Sequence, residues 1–387
     1  MISFVKNLPV VIHQLLFLFA QLFILSLYGI GFSGSLAYIG AISTFVAVLV
    51  SLRWDIEIMV SNYQSLSDSL SDASITIILM ITIISIFNMY LGNPLPLHII
   101  SSAIAIAIHE LLVSILFVQK RIYAYSLFRS IPALALVFFA LMGYQPEVIW
   151  PASFFFSVFF LFIFLRRLLV KAILNINMYR IKNINILNKF SAAITATSFS
   201  FFSALFVIVI NFYYGNDYVG LWANTIRIFN SVVVFLLAAC LPFFFNKLRG
   251  IELNAEKIKM FLYLWILLLP LIIFSFIAVS HYGIFLFSLF EPFNFELTNY
   301  HLSLIFLTGI AISFIGSSQG LYQAIGKSIY LLSMIIVITF IGYISISKNV
   351  MNFNTLILYF LFLTLALLFM IMSNLSYYLI YKKSDKN

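Results

Sequence analysis

The chain contains the stretch YGIGFSGSLA at residues 28–37 and a related stretch, YGNDYVGLWA, at residues 214–223. Both share the pattern Tyr-Gly-x4-Gly-x2-Ala, and they lie 186 residues apart in a chain of 387 residues. Each copy ends one apolar run and begins the next. Two similar halves, each a bundle of membrane helices, are a common plan among transporters. The repeat therefore predicts a duplicated membrane protein in which each copy forms a tight turn between helices.

The composition supports this prediction. Hydrophobic residues make up 64% of the chain and charged residues 9%, and the mean hydropathy is +1.12, so the surface is too apolar for a soluble protein. A crossing needs roughly 20 apolar residues, and in lipid each crossing segment must be helical. The chain reads as about twelve such spans: 8–28, 32–52, 74–92, 96–118, 130–146, 148–165, 190–212, 217–243, 259–280, 300–322, 328–347 and 354–380. We expect an all-α polytopic membrane protein, with two six-helix lobes around a central cavity.

The basic residues indicate which ends of the spans face the cytoplasm and where the two halves of the chain divide. With both termini in the cytoplasm, most basic residues fall on the inner side, as the positive-inside rule requires. The inner set is Lys6, Arg53, Lys120, Arg121, Arg129, Arg166, Arg167, Lys171, Arg180, Lys182, Lys189, Lys247, Arg249, Lys257, Lys259, Lys327, Lys382, Lys383 and Lys386. The net charge of +9 therefore records topology, and no nucleic-acid partner is expected. We expect an N-terminal lobe at 1–165, a basic cytoplasmic connector at 166–189 and a C-terminal lobe at 190–387.

Signatures of enzymes and metal sites are missing from the sequence. Cys240 is the only cysteine, and the histidines and carboxylates show no metal-ligand spacing. No phosphate-binding glycine loop or Ser/His/Asp cluster lies in an accessible loop. We therefore expect no catalytic residues, no metal and no cofactor, and an ATP-driven pump is disfavoured.

Charged side chains within apolar spans are costly and are candidates for function. Arg227 lies about ten residues into the eighth span, roughly 15 Å deep, where its planar fork suits an anionic substrate such as a phosphate. Glu110, in the fourth span, is a candidate for ion coupling by taking up and releasing a proton. Its alternative role is structural, as a buried carboxylate that is locked to Arg227 or hydrogen-bonded across helices. The neighbouring His109 is expected to be a hydrogen-bonded packing residue.

Uncharged polar residues extend the candidate substrate site. Asn224 and Asn230 share the eighth span with Arg227, and the spacing of residues 223, 227 and 230 favours Asn230 over Asn224. Gln21 lies on the first span. Hydrogen bonding between helices is the alternative role for both kinds of amide.

Two segments resemble a known family. Residues 51–57, SLRWDIE, look like the Leu-Arg-Tyr-Glu type motif of polysaccharide repeat-unit exporters, and the run from Tyr214 to Ile228 resembles their glycine-rich turn followed by Arg-Ile. The chain thus resembles the Wzx-type O-antigen flippases of the multidrug/oligosaccharidyl-lipid/polysaccharide exporter superfamily. Its first span departs from related flippases, because it carries Gln14 and Gln21 where they carry basic residues.

The resemblance implies a specific function. Such proteins move undecaprenyl-pyrophosphate-linked oligosaccharide across the bacterial inner membrane by alternating access that is coupled to ion movement. Arg227 matches a cavity arginine that suits the pyrophosphate, and Arg53 matches the motif arginine at the inner mouth. The implied partners are the lipid-linked oligosaccharide, membrane lipids, a polysaccharide polymerase and a chain-length regulator.

Two other classes of function remain open. A drug or cation antiporter of the same fold would favour acidic cavity residues over Arg227. A membrane glycan polymerase or ligase would need a sizeable outer loop with catalytic Arg or His, whereas the outer loops here are short and nearly devoid of Lys and Arg.

Overall fold

The structure, a computed structural model, describes residues 2–55, 58, 66–92, 94–174, 186–248, 251, 253–292, 295–325, 327–348 and 352–381. These ranges form eleven α-helices. In chain order, α1 to α11 are Ile2–Ser51, Leu66–Tyr90, Leu97–Val118, Ile122–Leu141, Pro146–Leu174, Ile186–Tyr214, Asn216–Leu248, Asn254–Ser288, Asn299–Ala324, Ser328–Lys348 and Phe353–Tyr381. Across the described ranges, nine helices are long and apolar enough to cross a membrane.

Helix α1 is two helices joined at a break. Its apolar part, Ile12–Ser51, has 40 residues, and at 1.5 Å per residue it is about 60 Å long, twice the hydrocarbon thickness. Gly29 interrupts it with φ 78° and ψ 178°, a conformation that glycine adopts without steric cost. The eleven helices therefore comprise twelve helical rods, which confirms the predicted all-α fold with about twelve spans.

The described residues pack as two compact units. Unit 1 is Met1–Ile24 with Ser35–Ala204, and unit 2 is Leu25–Gly34 with Leu205–Asn387. In unit 1, α5 packs against α2, α3 and α4. In unit 2, α9 packs against α7, α8, α10 and α11. The segment around Gly29 thus groups with the C-terminal helices, a detail that the lobe boundaries drawn from the sequence do not contain.

The repeated motif forms a reciprocal contact within unit 2. Gly215 has φ 82°, matching Gly29, and it separates α6 from α7. A Cβ on Gly34 would overlap the Asn216 carbonyl oxygen and lie 2.8 Å from the Gly220 nitrogen. A Cβ on Gly220 would overlap the Ile30 carbonyl oxygen and lie 2.8 Å from Ile30 Cγ1. Because Ile30 and Asn216 are also 186 residues apart, each copy packs on the other through equivalent positions, and the predicted tight helix–helix turns are confirmed.

Several helix ends differ from the predicted spans. Helix α2 begins at Leu66, so Asp68 and Asp72 lie on it, where the sequence placed them in an inner loop. Helix α4 begins at Ile122 and includes Arg129, which the sequence placed outside the spans. Helix α5 continues to Leu174. Of the predicted connector 166–189, residues 175–185 lie outside the described residues.

Candidate functional site

Arg227 lies in the fourth turn of α7, roughly 16 Å from the start of that helix at 1.5 Å per residue. Its Nη1 donates a hydrogen bond to Asn224 Oδ1 at 3.2 Å. Asn224 is fully buried, and its Nδ2 donates to Ser33 Oγ at 3.0 Å. The three side chains form a chain of hydrogen bonds within unit 2, and Ser33 fixes the amide that holds the guanidinium in place.

Among the residues that the structure describes, Arg227 has no carboxylate partner. The ion pairs in the described ranges are Arg53 with Asp55, Arg129 with Glu110 and His109 with Glu110, and Arg227 takes part in none of them. A guanidinium has five N–H donors, of which the bond to Asn224 uses one. A cation in this position, with most of its donors unused by the described residues, is suited to binding an anion.

Asn230 has a different role from the one that the sequence favoured. It is fully buried, and the orientation that satisfies both amide atoms places its nitrogen 3.3 Å from the Phe306 carbonyl oxygen and its oxygen 3.3 Å from the Ile310 nitrogen. Gly309 makes room for this amide on α9. Asn230 is therefore used in helix packing, the alternative role given above for such amides, and Asn224 is the asparagine that is bonded to Arg227.

Glu110 forms an ion pair in unit 1. Its Oε2 lies 2.8 Å from Arg129 Nη2, and Arg129 Nη1 donates to the Tyr125 hydroxyl at 2.6 Å. The Arg129 guanidinium also lies over the Tyr125 ring, 5.5 Å from its centre. The side chains of Glu110 and Arg129 are 32% and 27% exposed, so the pair is largely covered but can still be reached. Glu110 is thus bonded across helices, and its partner Arg129 is a residue that the sequence did not pair with it.

The sequence placed Arg129 at the cytoplasmic side because a wholly apolar run begins just after it. The first turns of α4, from Ile122 to Ser130, contain polar and aromatic residues, so hydropathy did not include them in the predicted span. One signal was present nonetheless: Glu110 and Arg129 flank the turn at Gln119–Arg121 at similar distances along the chain. Residues placed in that way on two antiparallel neighbouring helices lie at similar depth.

His109 lies closer to Glu110 than two successive helix positions predict. It is 1% exposed, and its Nδ1 is 3.6 Å from Glu110 Oε1. Its Nε2 is 3.3 Å from the Phe128 carbonyl oxygen on α4. His109 is thus hydrogen-bonded, as predicted, and it also belongs to the cluster around Glu110.

The remaining predicted residues, Arg53 and Gln21, lie in unit 1. Arg53 follows the end of α1 with φ 57°, and its Nε is 3.3 Å from Asp55 Oδ1. With its own carboxylate, Arg53 is a weaker anion ligand than Arg227. Gln21 is fully buried, and neither of its amide atoms has a hydrogen-bond partner among the residues the structure describes. Buried amides normally have partners, so Gln21 is a place for water or a polar ligand group.

Known proteins resemble this chain in fold, whereas the sequence comparisons found no match. No family model matches the chain, and no curated protein does. A MATE transporter in the bent conformation superposes with a TM-score of 0.63 at 13% identity, covering 100% of this chain and 96% of that one. The Vibrio cholerae MATE transporter VcmN in the bent form gives 0.56 at 14% identity, covering 98% and 97%. The chain has the MATE transporter fold.

A third structure connects the fold with a superfamily. It shows the inward-facing conformation of a multidrug resistance MATE family transporter of the MOP superfamily, with a TM-score of 0.52 at 13% identity, and it covers 97% of this chain and 91% of that one. This superfamily is the one to which the sequence resemblance pointed. The resemblance therefore holds at the level of the fold.

Proposed function

We propose that this protein moves a lipid-linked oligosaccharide, carried on undecaprenyl pyrophosphate, across the bacterial inner membrane. The observation that supports the proposal most strongly is Arg227, a cation on a membrane helix whose described surroundings hold no carboxylate. A cation inside a membrane is costly, and a protein that keeps one unneutralised needs an anion that arrives with its substrate. A pyrophosphate supplies both the charge and the paired oxygens that a guanidinium recognises.

The transport mechanism follows from the fold. We infer alternating access, in which the protein exposes the site that holds the cargo first to one side of the membrane and then to the other. Arg227 binds the pyrophosphate, Asn224 and Ser33 keep the guanidinium oriented, and Arg53 meets the cargo at the inner mouth. Gln21 supplies a hydrogen-bonding group for the sugars or phosphates, and Glu110 serves ion coupling.

The cellular setting completes the proposal. We place the protein in the inner membrane as a multi-pass protein with both termini in the cytoplasm, on the positive-inside pattern of its basic residues. A polysaccharide polymerase and a chain-length regulator would act on the cargo after translocation.

A drug or cation antiporter is the second candidate, because the solved structures with this fold are MATE transporters. An organic cation needs an available carboxylate. The carboxylate at mid-span, Glu110, is 2.8 Å from Arg129, so its charge is already neutralised. The arrangement around Arg227 therefore favours the anionic cargo.

Substitution of Arg227 tests the proposal. Arg227→Ala should abolish surface polysaccharide, and Arg227→Lys should retain a part of it, because lysine keeps the charge but loses the fork. Arg121→Ala is the matched control: Arg121 is exposed at the start of α4, and its loss removes one positive charge elsewhere. Surface polysaccharide and the amount of protein in the membrane are measured for each variant.

Two outcomes would overturn the proposal. One is normal polysaccharide in Arg227→Ala at wild-type protein levels. The other is unchanged polysaccharide on deletion of the gene together with increased sensitivity to cationic drugs, which would assign the protein to the antiporters.

A further inference from the structure

The hydrogen bond to Phe128 fixes where His109 carries its proton. A carbonyl oxygen only accepts, so at 3.3 Å from the Phe128 carbonyl the Nε2 of His109 must be the donor. A neutral imidazole has one N–H, and this bond uses it. In the neutral ring Nδ1 is therefore a bare acceptor.

That bare nitrogen faces a second acceptor. Nδ1 lies 3.6 Å from Glu110 Oε1, and it has no hydrogen-bond partner among the described residues. Two acceptors that face each other repel, and 3.6 Å is longer than an N–H···O hydrogen bond. Arg129 donates its hydrogen bond to the other carboxylate oxygen, Oε2, at 2.8 Å. That bond does not involve Oε1. The gap between Nδ1 and Oε1 is the place where one added proton turns a repulsive contact into a hydrogen bond.

The charges around the pair of His109 and Glu110 balance before such a proton binds. Arg129 and Tyr125 face Glu110 from α4, and Arg53 and Asp55 act on the pair from the end of α1. His13 on α1 lies against the Tyr125 ring, with the ring centres 6.3 Å apart. The two arginines and two carboxylates balance, so the cluster is neutral while His109 is neutral. A proton on Nδ1 gives the cluster one net positive charge.

We propose that the pair of His109 Nδ1 and Glu110 Oε1 is the proton site that couples transport to a proton gradient, with His109 as the group that carries the proton. This inference rests on the proposal that the protein is an ion-coupled transporter, and it names the ion and the residue. Imidazole changes its charge in the physiological pH range, whereas Glu110 is already committed to Arg129. Binding of the proton adds charge to a largely covered cluster, and it biases unit 1 towards the conformation that solvates or pairs that charge.

The gap between His109 Nδ1 and Glu110 Oε1 is poorly suited to binding sodium. Hard cations are bound by several oxygen ligands at once. Here Glu110 Oε2 is occupied by a guanidinium, and the partner opposite Oε1 is a nitrogen. In the described ranges no group of three or more His, Cys, Asp and Glu is placed to hold a metal ion.

Nitrogen NMR of the full-length protein in liposomes tests the site without any cargo. The chain has five histidines, and comparison with His109→Gln assigns the His109 signals. When the pH is lowered, we expect Nδ1 to be the nitrogen that gains a proton, while Nε2 stays protonated throughout. In Glu110→Gln, Nδ1 should stay unprotonated under the same conditions, because the carboxylate that would accept a hydrogen bond from it is gone. Exposed His281 on α8 serves as the control, and Glu110→Gln should not change its signals.

A transport measurement tests the coupling. The probe is a fluorescent short-chain polyprenyl pyrophosphate in proteoliposomes of phosphatidylethanolamine and phosphatidylglycerol. A pH gradient should accelerate its translocation by wild type and by His281→Gln at least several-fold, and His109→Gln should lose that acceleration. In His109→Gln the glutamine amide replaces Nε2–H as donor to Phe128, so the variant should stay folded.

The outcomes separate this inference from the proposed cargo. Arg227→Ala should lose translocation under every gradient and keep the His109 titration. The inference is overturned if the proton of the neutral ring sits on Nδ1, if Nδ1 stays bare when the pH is lowered, or if a sodium gradient drives the wild type and His109→Gln equally. Loss of translocation of this probe in the wild type, with the titration intact, would count against the cargo alone.

Discussion

At the scale of single residues, the chain contains two kinds of half-buried cation within its helices. Arg227 is bonded to an amide, and Arg129 is bonded to a carboxylate. No described carboxylate balances the charge of the first, whereas Glu110 balances the charge of the second. Residue type alone does not distinguish them. The sequence identified Arg227 as a candidate by its position within a span. It missed Arg129 because the predicted span began one residue after it, whereas α4 begins at Ile122.

Asn224 offers the sharpest test of an unneutralised Arg227. Asn224→Asp places a carboxylate at the position that now accepts the bond from Nη1 at 3.2 Å. It should therefore neutralise the guanidinium and reduce polysaccharide export at least about tenfold, a loss of about 1.4 kcal/mol in binding. Asn224→Ala is the matched control, because it removes the amide without adding charge and should retain more export than the aspartate. Equal export by Asn224→Asp and wild type would show that Arg227 need not be free of a carboxylate.

The pair of Glu110 and Arg129 predicts a non-additive effect on stability. Breaking a fully buried ion pair costs about 3–5 kcal/mol, and because about a third of each side chain is exposed here we expect about 1–3 kcal/mol for Arg129→Gln. The double variant Glu110→Gln/Arg129→Gln should recover most of that loss, since no uncompensated charge remains. Thermal unfolding in detergent measures the four proteins of this cycle. Strictly additive losses would contradict the assignment of a coupled pair.

At the scale of helices, the repeated glycines explain how the two copies meet. Gly29 and Gly215 supply the left-handed backbone that ends one helix and starts the next. Gly34 and Gly220 let each copy approach the other's backbone carbonyl group. The pattern in the sequence predicted the turns, but the reciprocal contact depends on which helices pack together. That information is not contained in the spacing of four residues.

This contact predicts a position-specific intolerance of a single methyl group. Gly34→Ala and Gly220→Ala should each lower the free energy of unfolding by about 1–3 kcal/mol, because the methyl group meets a backbone carbonyl that cannot move aside. Gly283→Ala is the matched control: it is also a helical glycine, but its added Cβ meets only side-chain atoms at 3.2 Å or more. Thermal unfolding in detergent compares the three variants. A loss for Gly283→Ala as large as that for Gly34→Ala would contradict the special role of the contact.

Helix boundaries show where the sequence was weaker. Apolar runs predict the membrane-embedded part of a helix, yet helices extend past it into polar segments whose backbone is satisfied by helical bonding. Helix α2 begins at Leu66 and α4 at Ile122, each eight residues before its predicted span. The polar first turns of these helices carry Asp68, Asp72 and Arg129. Hydropathy therefore gave the number of helices correctly but placed these charges outside them.

At the scale of the whole molecule, the sequence was sufficient for the fold class. High hydropathy, about twelve apolar runs and the internal repeat indicated a duplicated transporter, and the structure has the MATE fold. The partners of the candidate site residues were not predictable in this way. Glu110 with Arg129, and Ser33 with Asn224, are brought together by helix packing, and amide and hydroxyl groups in the sequence look the same whether they pack or bind.

The orientation of the chain can be checked directly. Reporter fusions after Lys120 and after the C-terminus should give fluorescent green fluorescent protein and inactive alkaline phosphatase, because the positive-inside rule places both points in the cytoplasm. A fusion after Gly143, in the turn between α4 and α5, should give the reverse. Active phosphatase at the C-terminus would contradict an even number of spans with both ends inside.

The central claim concerns what crosses the membrane, and the most direct measurement is the sidedness of the lipid-linked intermediates that accumulate when the gene is deleted. The proposed flippase predicts single repeat units on undecaprenyl pyrophosphate that are trapped at the cytoplasmic leaflet. Plasmid-borne wild type should clear them, and Arg227→Ala should not. Repeat units exposed on the periplasmic leaflet but left unpolymerised would contradict the claim and point to a polymerase instead.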